Sequence, residues 1–193
     1  MKCRIFAILA AITVALLSVD APASAEPQKG DAPGIVNFSE IRGDPGFAGS
    51  LVGFGGATGP EAMPWLRSHG FATVISLRFA DEAGVDVEGS RAAAKAVGLK
   101  YLHLPFDPEK RPEPDVVGDV LAAVGDRLNQ PVYIHCNSAT RVAALWMIGR
   151  VLKDGWDIDA AAKEVGLIAL KPAEAIAFGS WYVTSRARGQ PER

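Results

Sequence analysis

Cysteine is almost absent from this 193-residue chain, where Cys3 and Cys136 are the only two. Cys3 belongs to a charged start, Met1-Lys2-Cys3-Arg4, followed by an apolar run from Ile5 to Val19 and by Ala23-Ser24-Ala25 before Glu26. That order of charge, short apolar core and Ala-x-Ala exit predicts a signal peptide over residues 1–25 and a mature chain that is periplasmic or secreted. Cys3 leaves with it. The mature chain then holds no internal disulfide, and Cys136 is either an inert buried thiol or a reactive one. An apolar run of about 20 residues, the length that crosses a bilayer, is missing too, so no stable membrane insertion is expected once the signal is removed. Basic charge is not in excess. With 20 Lys and Arg against 22 Asp and Glu, a net charge of −2 and no basic stripe, nucleic acid is not an expected partner. His69, His103 and His135 show no paired ligand spacing, so neither a metal nor another cofactor is expected.

What is present is an alternation of apolar segments. Residues 26–35 are rich in Pro, Gly, Ala and charge and predict a disordered lead-in, which leaves 36–193 as one domain. Between Phe47 and Gly59 the chain is dense in glycine and reads as loop, after which Pro60 opens a helix through Trp65 and Leu66 that stops at Gly70. The β-branched run Ala72 to Arg78 reads as a buried strand, Glu88 to Val97 as a helix, and Lys100 to Leu104 as a second strand. A proline-rich loop from Pro105 to Pro114 precedes a helix from Asp115 to Leu128 with apolar residues at Val116, Val117, Val120, Leu121 and Val124. Pro131 to Ile134 is a short apolar strand, Val142 to Leu152 a helix, Asp157 caps a further helix, and an apolar stretch surrounds Phe178, Trp181 and Tyr182. Strands alternating with helices of this length predict an α/β fold with a mainly parallel central sheet flanked by helices.

The strand ending at Ile134 runs straight into His135-Cys136-Asn137-Ser138-Ala139-Thr140-Arg141 and then into a helix. A strand, tight loop and helix in that order point loop N–H groups and a helix N-terminus into one space, which favours an anion. A thiol in that space is drawn toward thiolate by the same forces. Arg141, a planar fork of N–H donors, suits two oxygens of a phosphate or sulfate.

These residues resemble the protein tyrosine and dual-specificity phosphatase superfamily. Within it they are most similar to the bacterial beta-lactamase-hydrolase-like, phosphatase-like domain, through Gly70-Phe71-x-Thr73-Val74-Ile75-x-Leu77-Arg78, then His135-Cys136 and Arg141-Val142. The likeness spans roughly residues 36–166. It implies a cysteine-dependent phosphatase fold, Cys136 as nucleophile, Arg141 as phosphate clamp and the backbone of Asn137, Ser138, Ala139 and Thr140 as cradle, with His135 oriented beside the thiol. It also implies a carboxylic acid on the loop after the Lys100 strand, where Asp107 fits and Asp115 is the alternative. The substrate would be a phosphorylated compound of open class, and the oligomeric state stays open.

The sequence departs from the pattern in three ways. Only Asn137 to Thr140 separate Cys136 from Arg141, where most tyrosine phosphatases have five residues; this shorter spacing resembles that of the beta-lactamase-hydrolase-like branch and is also that of many rhodanese sulfurtransferases. Ala139 stands where glycine is usual, and a left-handed backbone there would cost alanine about 1–2 kcal/mol. Val142 replaces a frequent hydroxyl, for which Thr140 or Ser138 are the nearby substitutes. Three functions therefore stand open: phosphate-ester hydrolysis, sulfur transfer through a Cys136 persulfide, and non-catalytic anion binding.

The signal peptide has a direct consequence: the intact mass of the exported protein should correspond to a chain beginning at Glu26. A mass retaining residues 1–25 would contradict it.

Overall fold

The computed structural model describes residues 25–43, 46–108 and 116–188. Residues 1–24 of the expected signal peptide, and Asp115, lie outside them. A six-stranded sheet runs in the order β1-β2-β3-β6-β4-β5, with β1 Gln28–Lys29, β2 Ser39–Arg42, β3 Leu51–Gly55, β4 Thr73–Ser76, β5 Lys100–His103 and β6 Val132–His135. β3, β6, β4 and β5 are mutually parallel, while β1 and β2 add an antiparallel edge. The helices are α1 Met63–Ser68, entered through a 3-10 turn at Pro60–Ala62, α2 Val87–Ala96, α3 Val116–Gly125, α4 Thr140–Leu152, α5 Ile158–Ile168 and α6 Pro172–Ala187. The expected mainly parallel α/β sheet is therefore what the chain forms.

Two cores lie on the two faces of the sheet. Phe71, Val74 and Tyr133 pack with Met63 and Leu66 of α1 and Ala94 of α2. On the other face Ile75, Ile134 and Phe54 pack with α3, α4, α5 and α6, and α4 is buried along most of its length. Trp146 and Met147 of α4 are both inside. No helix among the described residues is long and apolar enough to cross a membrane.

Two elements differ from expectation. The glycine-dense segment read as loop contains β3, whose every residue is buried at the centre of the sheet. A Cβ on Gly53 would fall 2.5 Å from Phe71 Cζ, and one on Gly55 would collide with the Tyr133 hydroxyl. These glycines are needed because rings from neighbouring elements fill the space above them, and the lack of a side chain is the packing solution. The lead-in read as disordered over 26–35 holds β1, which pairs with β2 in the register Gln28↔Glu40 and Lys29↔Ser39. Main-chain pairing, which ignores side-chain polarity, orders this apolar-poor segment.

One polar cluster fixes α4 against α5. Arg150 is 1 % exposed, its guanidinium lying 4.5 Å and 4.2 Å from the ring centres of Trp146 and Trp156. Glu164 accepts from Arg150 Nε at 2.9 Å and from Trp146 Nε1 at 2.7 Å, and Asp154 accepts from Arg150 Nη1 at 2.9 Å. Removing Glu164 would leave the buried donors Arg150 Nε, Arg150 Nη2 and Trp146 Nε1 without their acceptor, with Asp154 left to face the cation. Glu164→Ala should therefore lose about 3–5 kcal/mol in urea denaturation, whereas a loss below about 1 kcal/mol would show the cluster to be dispensable.

Candidate active site

The parallel strands place the site. β6 is flanked by β3 and β4 in registers that set Gly55 and Ser76 beside His135, so the chain beyond His135 emerges at the carboxyl edge of the sheet. This edge is where open α/β sheets bind ligands. The Cys136 amide donates to the Gly55 carbonyl at 3.1 Å, which extends the pairing with β3 one residue past the strand.

From there the loop turns its carbonyls outward. The Asn137 carbonyl accepts from Ala57 N at 2.8 Å, that of Ser138 from Leu170 N at 3.2 Å, and that of Ala139 from Ala143 N at 2.9 Å. A trans peptide sets the next N–H opposite each carbonyl, so the amides of Ser138, Ala139 and Thr140 point away from these three partners. The turn that achieves this is left-handed at Ala139, with φ 59° and ψ 4°, the conformation in which glycine is usual. Its buried methyl group is held there at a local cost of about 1–2 kcal/mol. The close approach of the supporting segment also demands glycine: a Cβ on Gly56 would lie 2.6 Å from the Asn137 carbonyl oxygen. Ser138 and Thr140 join their hydroxyls at 3.0 Å, and Val142 is buried in the core.

Arg141 reaches the loop mouth already engaged. Nη1 donates to Glu82 Oε1 at 2.7 Å and to the carbonyls of Leu77 and Phe106 at 3.0 Å and 3.1 Å, and Nη2 donates to Glu82 Oε2 at 2.7 Å. The terminal fork expected to hold a phosphate thus holds Glu82 instead. Nε–H and the second Nη2–H have no partner among the described residues, and this side edge of the guanidinium is the pair of parallel donors left for an anion. Burial alone would lower the Arg141 pKa, but the Glu82 bond and the charges of Cys136, Glu82 and Asp107 raise it.

Glu82 was not singled out by sequence reasoning, because Asp81-Glu82 after a strand reads as a solvated turn. Its carboxylate also accepts from Phe79 N at 2.9 Å and from Arg78 Nε at 3.2 Å. Desolvation pushes its pKa up, yet the bonds to Arg141, Phe79 and Arg78 prevail and hold it down at about 2. Arg78 is buried, and its Nη2 donates to the Ala83 carbonyl at 2.7 Å.

His135 and Cys136 are 3 % and 1 % exposed. The His135 ring stacks on Tyr133 with centres 5.9 Å apart, and neither ring nitrogen has a hydrogen-bond partner among the described residues. Burial lowers its pKa to about 4, so the imidazole is neutral at pH 7. The backbones of Cys136 and Gly56 lie close enough to the ring to act in the opposite direction, raising its pKa. Tyr133 in turn donates to or accepts from Thr58 Oγ1 at 2.7 Å, and burial raises its pKa.

Asp107 is half-buried on the loop after β5, next to Phe106, whose carbonyl holds Arg141, and its charge is among those that stabilise the Arg141 cation. The structure thus gathers Cys136, Arg141, Asp107 and the loop amides. The other two histidines are elsewhere: His69 Nε2 lies 2.8 Å from Glu40, and His103 Nε2 lies 2.7 Å from the Arg78 carbonyl. Among the described residues no group of three His, Cys, Asp or Glu side chains is placed to hold a metal ion.

The depressed Glu82 pKa makes a pH-dependent contribution. An unfolded glutamate titrates near pH ~4.3, so this stabilisation is complete above that value and is lost as pH falls toward 2. The melting-temperature gap between wild type and Glu82→Gln should be open at pH 7 and close by pH 2. A gap constant over that range would contradict the assignment.

Residues 49–164, more than half of the chain, match the family described as PTP-NADK, DSP-PTPase phosphatase fused to NAD+ kinase. No curated protein matches the chain by sequence. Among solved structures, TpbA of P. aeruginosa is 23 % identical with a TM-score of 0.58, covering 83 % of this chain and 91 % of its own. A cysteine-to-serine form of TpbA has been solved in complex with pTyr. The core catalytic domain of the PP-IP phosphatase SIW14 of S. cerevisiae is 17 % identical with a TM-score of 0.60, covering 84 % of this chain and 99 % of its own. These likenesses show a shared fold, and with the matched family they establish that the chain belongs to the tyrosine and dual-specificity phosphatases, a group of phosphoric monoester hydrolases.

Proposed function

We propose that this protein is an exported phosphatase that hydrolyses a phosphate monoester through a cysteinyl-phosphate intermediate. The observation that carries the reading is the loop itself, left-handed at Ala139 and with its carbonyls bonded to the surrounding chain, with Cys136 at its start and Arg141 at its end. Export rests on the tripartite start of residues 1–25.

In the first step the Cys136 thiolate attacks phosphorus, the P–O bond to the leaving group breaks, and Asp107 donates its proton to the departing oxygen. The amides of Ser138, Ala139 and Thr140 and the side edge of Arg141 hold the three remaining oxygens through both steps. In the second step water attacks phosphorus, the P–S bond breaks, the thiolate is regenerated and Asp107 takes up the proton. The family match favours this chemistry over sulfur transfer and over simple anion binding.

Each residue has a separable signature. Cys136→Ser should end turnover of aryl and alkyl phosphates while phosphate binding persists, because the amide cradle is intact. Arg141→Ala should lower kcat/KM by roughly 10²- to 10⁴-fold, since charge-assisted bonds are lost. Asp107→Asn should slow alkyl phosphates by about 10²-fold or more and aryl phosphates far less, because a phenolate leaves without full protonation. Turnover retained by Cys136→Ser would remove the nucleophile, and an alkyl phosphatase unaffected by Asp107→Asn would remove the acid.

A further inference from the structure

A groove of about 760 Å³ opens on the antiparallel edge of the sheet, lined by Lys29, Asp31, Pro33, Ile35, Phe38 and Trp65 among others. This volume lies within the range of ligand sites, about 300–1,000 Å³. Its aromatic wall is preset: the half-buried Trp65 ring stacks on His69 with centres 4.3 Å apart and meets Phe38 edge-on at 5.1 Å. Lys29 lines the same groove with a single neutral partner, its Nζ donating to Asn37 Oδ1 at 2.6 Å. Among the described residues no carboxylate lies within ion-pair distance of it, and partial burial lowers its pKa.

The groove adjoins the catalytic loop through its own wall. Ile35 to Asn37 separate the two, and the Val36 amide and carbonyl bond Ala57 O and Gly56 N at 2.9 Å and 2.7 Å. Ala57 N then donates to the Asn137 carbonyl, and Asn37 Nδ2 donates to the Ile168 carbonyl at 2.7 Å, close to where Leu170 meets Ser138. Asn37 itself is held at a φ of 55°, so the wall follows a path that extended chain would not take.

We propose that this groove is a second binding site, which takes a polypeptide segment carrying a carboxylate next to an apolar or aromatic side chain, flanking the phosphorylated residue seated at Cys136. An under-partnered ammonium beside an aromatic wall complements a carboxylate attached to an apolar body. Asp31 also lines the groove, and its carboxylate is an acceptor for a peptide N–H. The flanking role rests on the phosphatase reading, while the binding itself does not.

The test uses two phosphotyrosyl peptides, one with Glu and Leu on both sides of the phosphotyrosine and one with Lys and Gly, together with p-nitrophenyl phosphate. Wild type should favour the Glu/Leu peptide by about fivefold in kcat/KM, as expected for one charge pair with apolar support. Lys29→Glu should reverse that preference and Trp65→Ala should erase it, with p-nitrophenyl phosphate turnover unchanged. A preference that survives Lys29→Glu overturns the proposal. Absence of any turnover by wild type would instead overturn the phosphatase reading. In that case calorimetric titration of the unphosphorylated Glu/Leu peptide decides the site: binding lost in Lys29→Glu supports it, and equal binding in both proteins overturns it.

Discussion

The bidentate pair between Glu82 and Arg141 is the interaction on which the site depends. An arginine at the end of a short loop would sample many rotamers, and an anion would bear the entropy of ordering it. Here the Glu82 carboxylate and the carbonyls of Leu77 and Phe106 hold the guanidinium in one plane before any ligand arrives. Glu82 is itself steadied by Phe79 N and by the buried Arg78. The segment after β4 and the loop after β5 are thereby tied to the first turn of α4, beside the Cys136 loop.

The same pair sets Arg141 among the negative groups of the site. Arg141 faces the carboxylates of Glu82 and Asp107, and an incoming phosphate supplies negative charge where backbone amides supply partial positive charge. Catalysis in such a site is carried by dipoles fixed by the fold. The left-handed Ala139 is what aims them, and the strain it stores is offset by the burial of α4 behind it.

Much of this was legible in the sequence. β4, β5 and β6 are apolar runs bounded by Gly, Pro or charge, and Asp157 does cap α5 by accepting from the amides of Asp159 and Ala160. The Cys136 loop was read from residue order, and the family likeness added the glycine-like position at Ala139 and the carboxylate on the proline-rich loop carrying Asp107. β3 was hidden because Gly53 and Gly55 are chosen by rings distant in sequence, Phe71 and Tyr133, so a local reading returns loop. Glu82 was hidden for a related reason. Its partner Arg141 is 59 residues away, and only the fold brings a turn carboxylate under the guanidinium. The edge strand at Gln28–Lys29 is specified by main-chain pairing, which leaves no hydrophobic pattern to find.

The central claim is that Cys136 becomes covalently phosphorylated during turnover. Acid quenching of the protein within the first turnover of an aryl phosphate, followed by digestion and mass spectrometry, tests it most directly. The account predicts one phosphoryl group on the Cys136 peptide, absent in Cys136→Ser and accumulating when the second step is slowed. Steady release of phosphate with the Cys136 peptide unmodified at every quench time would contradict it.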